Sequence, residues 1–105
     1  MDPQSVDNLP GADLVSRGID DLNQSRLSME ALLVAIASPR LRHLGFHLPA
    51  DNSMPQRPEH QLYTLLSKDD ERNAYSRYNA LIRRLVSFER AMEFEQARAA
   101  RLGNI

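Results

Sequence analysis

The feature that most constrains the fold is the stretch 70–102, which contains neither proline nor glycine and whose apolar residues recur every three or four positions. That spacing places them on one face of an α-helix. A second apolar line, formed by Tyr75, Ile82 and Val86, widens this face to roughly 160°, which predicts contact with more than one neighbouring helix. The first apolar line of this face has the alternating spacing of four and three residues that is typical of a coiled-coil seam. It consists of Ala74, Tyr78, Leu81, Leu85, Phe88 and Met92.

Shorter helices are predicted upstream, and most of them have a recognisable start signal. Pro10, Pro39 and Pro58 suit the first turn of a helix. Ser28 is a favourable N-cap for a segment that is apolar nearly all round and therefore expected at the centre of the core. These signals predict an all-α fold, a small bundle of about five helices with a long amphipathic C-terminal helix. The predicted divisions are a flexible lead at 1–9 and one domain at 10–105, with helices at 10–23, 28–38, 39–45, 58–67 and 70–102 and a loop at 46–57.

Two glycines have different expected roles in these helices. Gly45 lies where the third helix should end, and glycine is the favoured residue just beyond a helix C-terminus. Gly18 lies among the apolar positions of the first helix. It either weakens that helix by about 1 kcal/mol relative to alanine or allows a neighbouring helix to approach closely.

Composition excludes several classes of protein. The 105 residues include no cysteine, which rules out disulfides, thiolate nucleophiles and cysteine-ligated zinc. The longest apolar run, 31–37, is much shorter than the roughly 18 residues of a membrane span, and the acidic N-terminus lacks the features of a signal peptide. We therefore expect a cytoplasmic protein that does not act on membranes. Twelve of its thirteen basic residues are arginine, which is typical of a GC-rich bacterial genome.

Charge separates the two ends of the chain. Residues 1–30 carry six acids against two arginines, a net charge of −4, and residues 72–105 carry seven arginines against three glutamates, a net charge of +4. The basic end predicts a surface for an acidic partner, which could be another protein, nucleic acid or the chain's own acidic first helix; a solvated face with helical ion pairs would explain it equally simply. The arginines in question are Arg72, Arg77, Arg83, Arg84, Arg90, Arg98 and Arg101.

Two further groups on the last helix are candidate contact residues. Tyr75 and Tyr78 form an aromatic cluster, and tyrosine and arginine are favoured residues at protein-binding hot spots; the alternative is a polar edge of the core. A helix of about 30 residues spans roughly 45 Å, more than the width of a compact domain of this size. The helix should therefore break, fray after about residue 94, or pack its end on a second copy of the chain. The third alternative is favoured, with Met92, Phe94 and Leu102 as candidate dimer contacts.

Catalytic and metal-binding patterns are weak. His43 and His47 have the i, i+4 spacing of helical metal ligands, but Gly45 is expected to end that helix between them. His60, with Glu59 and Asp51, could complete a site only if the loop folded back. The four glycines stand too far apart for a phosphate-binding loop, and the serines have no glycine elbow around them. We therefore predict no cofactor, no metal and no catalytic residue.

The sequence thus favours a protein that works by protein–protein recognition, as a homodimer, in a regulatory or adaptor role. A second hypothesis is a nucleic-acid-associated regulator that uses the arginine-rich face, although an isoelectric point near 6.3 is low for a DNA-binding domain. The third is an enzyme with its site in the 46–57 loop.

Overall fold

The computed structural model describes residues 8–103, and within them the chain is helical and contains no β-strand. This confirms the predicted all-α fold. Two 3-10 turns, Asp51–Ser53 and Glu71–Asn73, precede the last two α-helices. The α-helices of the described residues are α1 (Ala12–Asn23), α2 (Met29–Ile36), α3 (Ser38–His43), α4 (Pro58–Asp69) and α5 (Ala74–Gly103). The predicted lead at 1–9 lies almost entirely outside the described residues.

Two predicted helix ends are confirmed by their hydrogen bonds. The Ser28 hydroxyl accepts a hydrogen bond from the Ala31 amide at 3.1 Å, which satisfies an otherwise unpaired donor in the first turn of α2. Gly45 follows α3 with φ +100°, and the amide of Phe46 donates to the Leu41 carbonyl at 3.0 Å, as in a Schellman motif. Both ends are therefore set by local sequence.

Two predicted helix starts were wrong, because the backbone leaves helical geometry just before them. α1 begins at Ala12 rather than Pro10, since Gly11 adopts a left-handed conformation with φ +79°. α5 begins at Ala74 rather than Asp70, whose extended backbone opens the 3-10 turn instead. There the Asn73 side-chain amide donates to the Asp70 carboxylate at 2.7 Å, and this hydrogen bond lowers the pKa of Asp70.

The core is centred on α2, which packs chiefly on α1 and α4, and α3 and the middle of α5 complete it. Five consecutive residues of α2, from Ala31 to Ala35, are buried, as its nearly uniform apolar sequence predicts. The ring of Phe46 packs on that of Phe88 with centroids 5.8 Å apart, so the segment after α3 also closes the core. The side chains at the centre are Leu33, Val34, Leu41, Leu62, Leu66 and Phe88.

The packing of α1 on α2 depends on Gly18. A Cβ atom at this position would lie 2.3 Å from the carbonyl oxygen of Glu30 and 2.4 Å from a methyl group of Val34. Both distances are far below van der Waals contact, so the two helices approach as closely as they do only because Gly18 has no side chain. The structure therefore confirms the close-approach interpretation of this glycine.

α5 is longer than the body that it packs against. The molecule measures 52 × 29 × 19 Å, and its radius of gyration of 14.7 Å exceeds the roughly 13 Å of a compact domain of this size. The last described hydrogen bond between α5 and the body runs from the Gln96 side chain to the Leu44 carbonyl at 2.6 Å. Residues 97–102 are all exposed. The C-terminal part of α5 therefore projects from the fold.

Candidate functional site

The solvent side of α5 carries a line of exposed side chains that we call the arginine ridge. Its members fall within roughly 80° around the helix and extend over about 27 Å along it. Phe94 stands in the middle of this line with 62% of its surface exposed. The ridge consists of Arg83, Arg90, Phe94, Arg98 and Arg101.

The ridge contains four of the seven arginines predicted as partner-binding. Arg72 lies in the 3-10 turn before α5 and is therefore not part of that helix. Arg77 pairs with Asp69 at 2.6 Å, and Arg84 pairs with Asp13 of α1 at 3.3 Å. These pairs are exposed and contribute at most about 1 kcal/mol each. The Arg84–Asp13 pair is the one described ion pair that joins the acidic first helix to α5.

The four ridge arginines have no ion-pair partner among residues 8–103. Each is exposed. Folding therefore leaves their charges fully available to an anionic partner. The chain's own acidic helix, which the sequence allowed as their partner, reaches Arg84 and none of the four.

The structure separates the two tyrosines of the predicted hot spot. Tyr78 is half-buried and packs edge-to-face on Tyr63 of α4, with ring centroids 6.1 Å apart. Burial raises the pKa of its hydroxyl, and the negative charge of Glu59 adds to the shift. Tyr75 is exposed on the neighbouring face of α5. Tyr78 therefore belongs to the edge of the core, and Tyr75 alone is accessible to a partner.

One of the three predicted dimer contacts is not on the surface. Met92 is only 3% exposed and belongs to the hydrophobic core, because it lies on the same side of α5 as Phe88. Its assignment as a dimer contact was wrong. Phe94 and Leu102 are 62% and 60% exposed and can contact another molecule.

A shallow cavity of about 300 Å³, which we call the apolar groove, lies between α5 and the junction of α2 with α3. Its walls are the half-buried side chains of Ile36, Ile82 and Val86 and the exposed ring of Pro39. It is completed by Ala37, Leu85, Arg40 and Glu89. No sequence pattern predicted it, because its walls come from segments more than forty residues apart.

An ion-pair cluster closes one side of the groove. The guanidinium of Arg40 lies 2.9 Å from the Glu89 carboxylate and also bonds to Glu93. Glu89 is 7% exposed, and burial raises the pKa of its carboxyl; the charge of Arg40 partly offsets this shift. Both polar groups of the groove are thus occupied by each other. No pattern in the sequence predicted this contact.

The histidines do not form a site. His60 lines a second cavity of about 320 Å³ with Leu27, Leu65 and Lys68, and neither His43 nor His47 lines it. The part of the chain that the structure describes holds no group of three side chains suited to binding a metal. The 46–57 loop is tied to α3 through Arg42, which donates to the Pro49 carbonyl and pairs with Asp51.

Over residues 8–103 no helix combines the length and the apolar character needed to cross a bilayer. Comparison of the chain with protein-family models, with curated protein sequences and with solved structures gives no match.

Proposed function

We propose that the protein acts by binding another protein through the arginine ridge, in a regulatory or adaptor role. In this proposal the five helices form a small bundle that holds the ridge in place, and no residue is assigned a catalytic role. The observation that supports it is Phe94, an aromatic side chain that is 62% exposed among four exposed arginines. Aromatic and arginine side chains dominate the energetics of protein interfaces.

The chemistry of the ridge favours an acidic partner. Four positive charges lie within roughly 80° around α5, and the glutamates of this helix, Glu89, Glu93 and Glu95, lie outside that sector. A complementary negative surface would speed association and select against basic partners. Phe94 would be buried at the centre of such an interface, where the surrounding arginine–carboxylate pairs exclude water.

Nucleic acid is the alternative partner. The alignment of Arg83, Arg90 and Arg101 along α5 favours it, because aligned arginines can contact successive phosphates. Binding to phosphates would weaken steeply with rising salt concentration. The salt dependence of binding therefore distinguishes the two partners.

A homodimer is a second proposal, supported by the exposed Leu102 on the projecting end of α5. A symmetric dimer centred on the ridge would place arginine against arginine, so the dimer contact is assigned to Leu102 and its flank rather than to the ridge. Light scattering on the full chain at high micromolar concentration tests this, and a monomeric mass would rule out the dimer without affecting the ridge.

The ridge is tested by affinity capture from native lysate, with and without nuclease, using three full-chain baits besides the wild type. The first is Arg83→Glu with Arg90→Glu, the second is Phe94→Ala, and the third is the control Arg17→Glu with Arg57→Glu. The control makes the same change in net charge at two exposed arginines outside the ridge. We expect at least one protein to be captured by the wild type and by the control, even after nuclease treatment. Both ridge variants should fail to capture it.

Two results would contradict the proposal. If the charge reversal at Arg83 and Arg90 leaves every captured protein unchanged, the ridge does not bind protein. If retention disappears with nuclease and the wild type binds an oligonucleotide with steep salt dependence, the partner is nucleic acid.

A further inference from the structure

The apolar groove and the arginine ridge are adjacent surfaces of α5. Val86 forms a wall of the groove, and it lies three residues after Arg83 and four residues before Arg90. Residues at these spacings are side-by-side neighbours on a helix, about 5–6 Å apart at Cβ. The apolar groove is thus flanked along α5 by two arginines that have no ion-pair partner among residues 8–103.

The groove continues as an apolar line toward the N-terminal end of α5. Tyr75 is two helical turns before Ile82 on the same side of the helix, and its ring is exposed. The line Tyr75, Ile82 and Val86 therefore has the spacing that suits the apolar stripe of another helix. Beside this line lie Arg83 and Arg90.

The two charged side chains inside the groove are already paired with each other. Arg40 and Glu89 are bound to each other, so neither is free to orient a small polar molecule. Small-molecule sites depend on a few well-placed polar groups within the pocket. Charge recognition at this surface must come from the arginines at its border, which suits a longer ligand that reaches both.

We propose that the groove and its two flanking arginines form the docking site for an acidic amphipathic helix of the partner protein. Apolar side chains spaced i, i+3, i+4 and i+7 would enter the groove, and carboxylates beside that stripe would pair with Arg83 and Arg90. This inference rests on the proposed function and adds the structural class of the partner and its binding mode.

A second copy of the chain is a poor occupant. The acidic helix of this protein is α1, and its apolar residues Leu14, Val15 and Leu22 are buried against α2. It could reach the groove of another copy only by leaving its own core. Phosphates, in turn, would satisfy the arginines but leave the groove unfilled, and nothing in their chemistry would favour contact with Val86.

The test uses the full chain and a synthetic helical peptide that carries leucine at i, i+3, i+4 and i+7, with glutamate flanking that stripe. Two control peptides have the same composition in scrambled order, or lysine in place of each glutamate. Binding is measured by fluorescence anisotropy and mapped by amide chemical shifts. We expect the first peptide to bind and to shift the amides of Ile36, Ile82 and Val86, and both controls to bind at least about tenfold more weakly.

Two variants locate the site. Val86→Glu and Pro39→Glu each place a carboxylate at the groove, and each is expected to weaken peptide binding at least about tenfold. Pro39→Glu still tests the groove if Val86→Glu fails to fold. Position 39 is exposed and near the start of a helix, where an acid is tolerated. Circular dichroism and thermal unfolding confirm that each variant is folded.

The groove proposal fails if the helical peptide does not bind, if the scrambled peptide binds equally well, or if both groove variants bind like the wild type. It can fail independently of the proposed function. A captured protein that is lost by the Arg83→Glu, Arg90→Glu variant and by Phe94→Ala, yet retained by both groove variants, would keep the ridge and remove the groove.

Discussion

Phe88 and Phe94 lie six residues apart on the same helix and in opposite environments. Phe88 is completely buried and packs on Phe46, whereas Phe94 is 62% exposed among arginines. The first belongs to the side of α5 that faces the other helices, and the second to the side that faces solvent. One helix thus supplies both a fully buried core residue and an exposed aromatic residue.

α5 therefore has a buried side that belongs to the core and an exposed side that faces solvent. Removing apolar surface costs free energy of unfolding only where that surface was buried by folding. Substitutions on the ridge should therefore change binding and leave stability nearly unchanged, and substitutions on the core side should do the reverse.

The largest expected effect separates the two phenylalanines directly. Phe88→Ala should lower the free energy of unfolding by about 4 kcal/mol, because it removes a fully buried ring and leaves a cavity. Phe94→Ala should change it by less than about 0.5 kcal/mol, as is usual for exposed positions. Urea denaturation followed by circular dichroism measures both. Comparable losses in the two variants would mean that α5 does not have the two sides described.

A second prediction tests how closely the interior is packed at the contact of α1 with α2. Gly18→Ala should destabilise the protein by about 3 kcal/mol, because its methyl group would overlap the Glu30 carbonyl and Val34. Ser16→Ala is the matched control, since position 16 of α1 is exposed and alanine favours a helix. If Gly18→Ala were as stable as this control, the helices would not be in close contact.

The smallest effect is expected at the border between the two sides, where Glu89 pairs with Arg40. Burial raises the pKa of Glu89 above its ordinary value of 4.5, so the folded state binds this proton more tightly than the unfolded chain. The resulting stabilisation is fully present below that ordinary value and is lost as the pH rises through the raised pKa. Relative to Glu89→Gln, the wild type should therefore lose stability as the pH rises above about 4.5.

The Glu89 prediction is checked by urea denaturation of both proteins across that pH range. Glu93→Gln is the control, because Glu93 bonds to the same arginine but its carboxylate is far more exposed. A wild-type curve parallel to that of Glu89→Gln would show that the carboxyl of Glu89 titrates normally in the folded state.

Features that depend on neighbours along the chain were predictable. The Ser28 cap, the Gly45 helix end and the burial of α2 all follow from residues within a few positions of one another. The helical repeat of α5 likewise identified Phe88 as a core residue. Its length was well predicted, although its first residue was not, because the Asn73–Asp70 hydrogen bond favours a 3-10 turn there.

The candidate site was predictable in part. The arginines of α5 were visible as a charged face, but the pairing of Arg77 with Asp69 and of Arg84 with Asp13 could not be read from helical spacing. The same holds for the Tyr78–Tyr63 contact. Each depends on which other helix lies nearby, and that information is spread over the whole chain.

What the sequence alone determined is periodic and local: the helices, the Ser28 cap and the Gly45 helix end, the apolar side of α5 and the separation of charge between the two ends. The tertiary structure decided which charges remain unpaired and that an apolar groove lies beside Arg83 and Arg90. The physical reason is that helical spacing orders side chains within one helix. Ion pairs and grooves form between helices, and their geometry is set by how those helices pack, as the close contact at Gly18 illustrates.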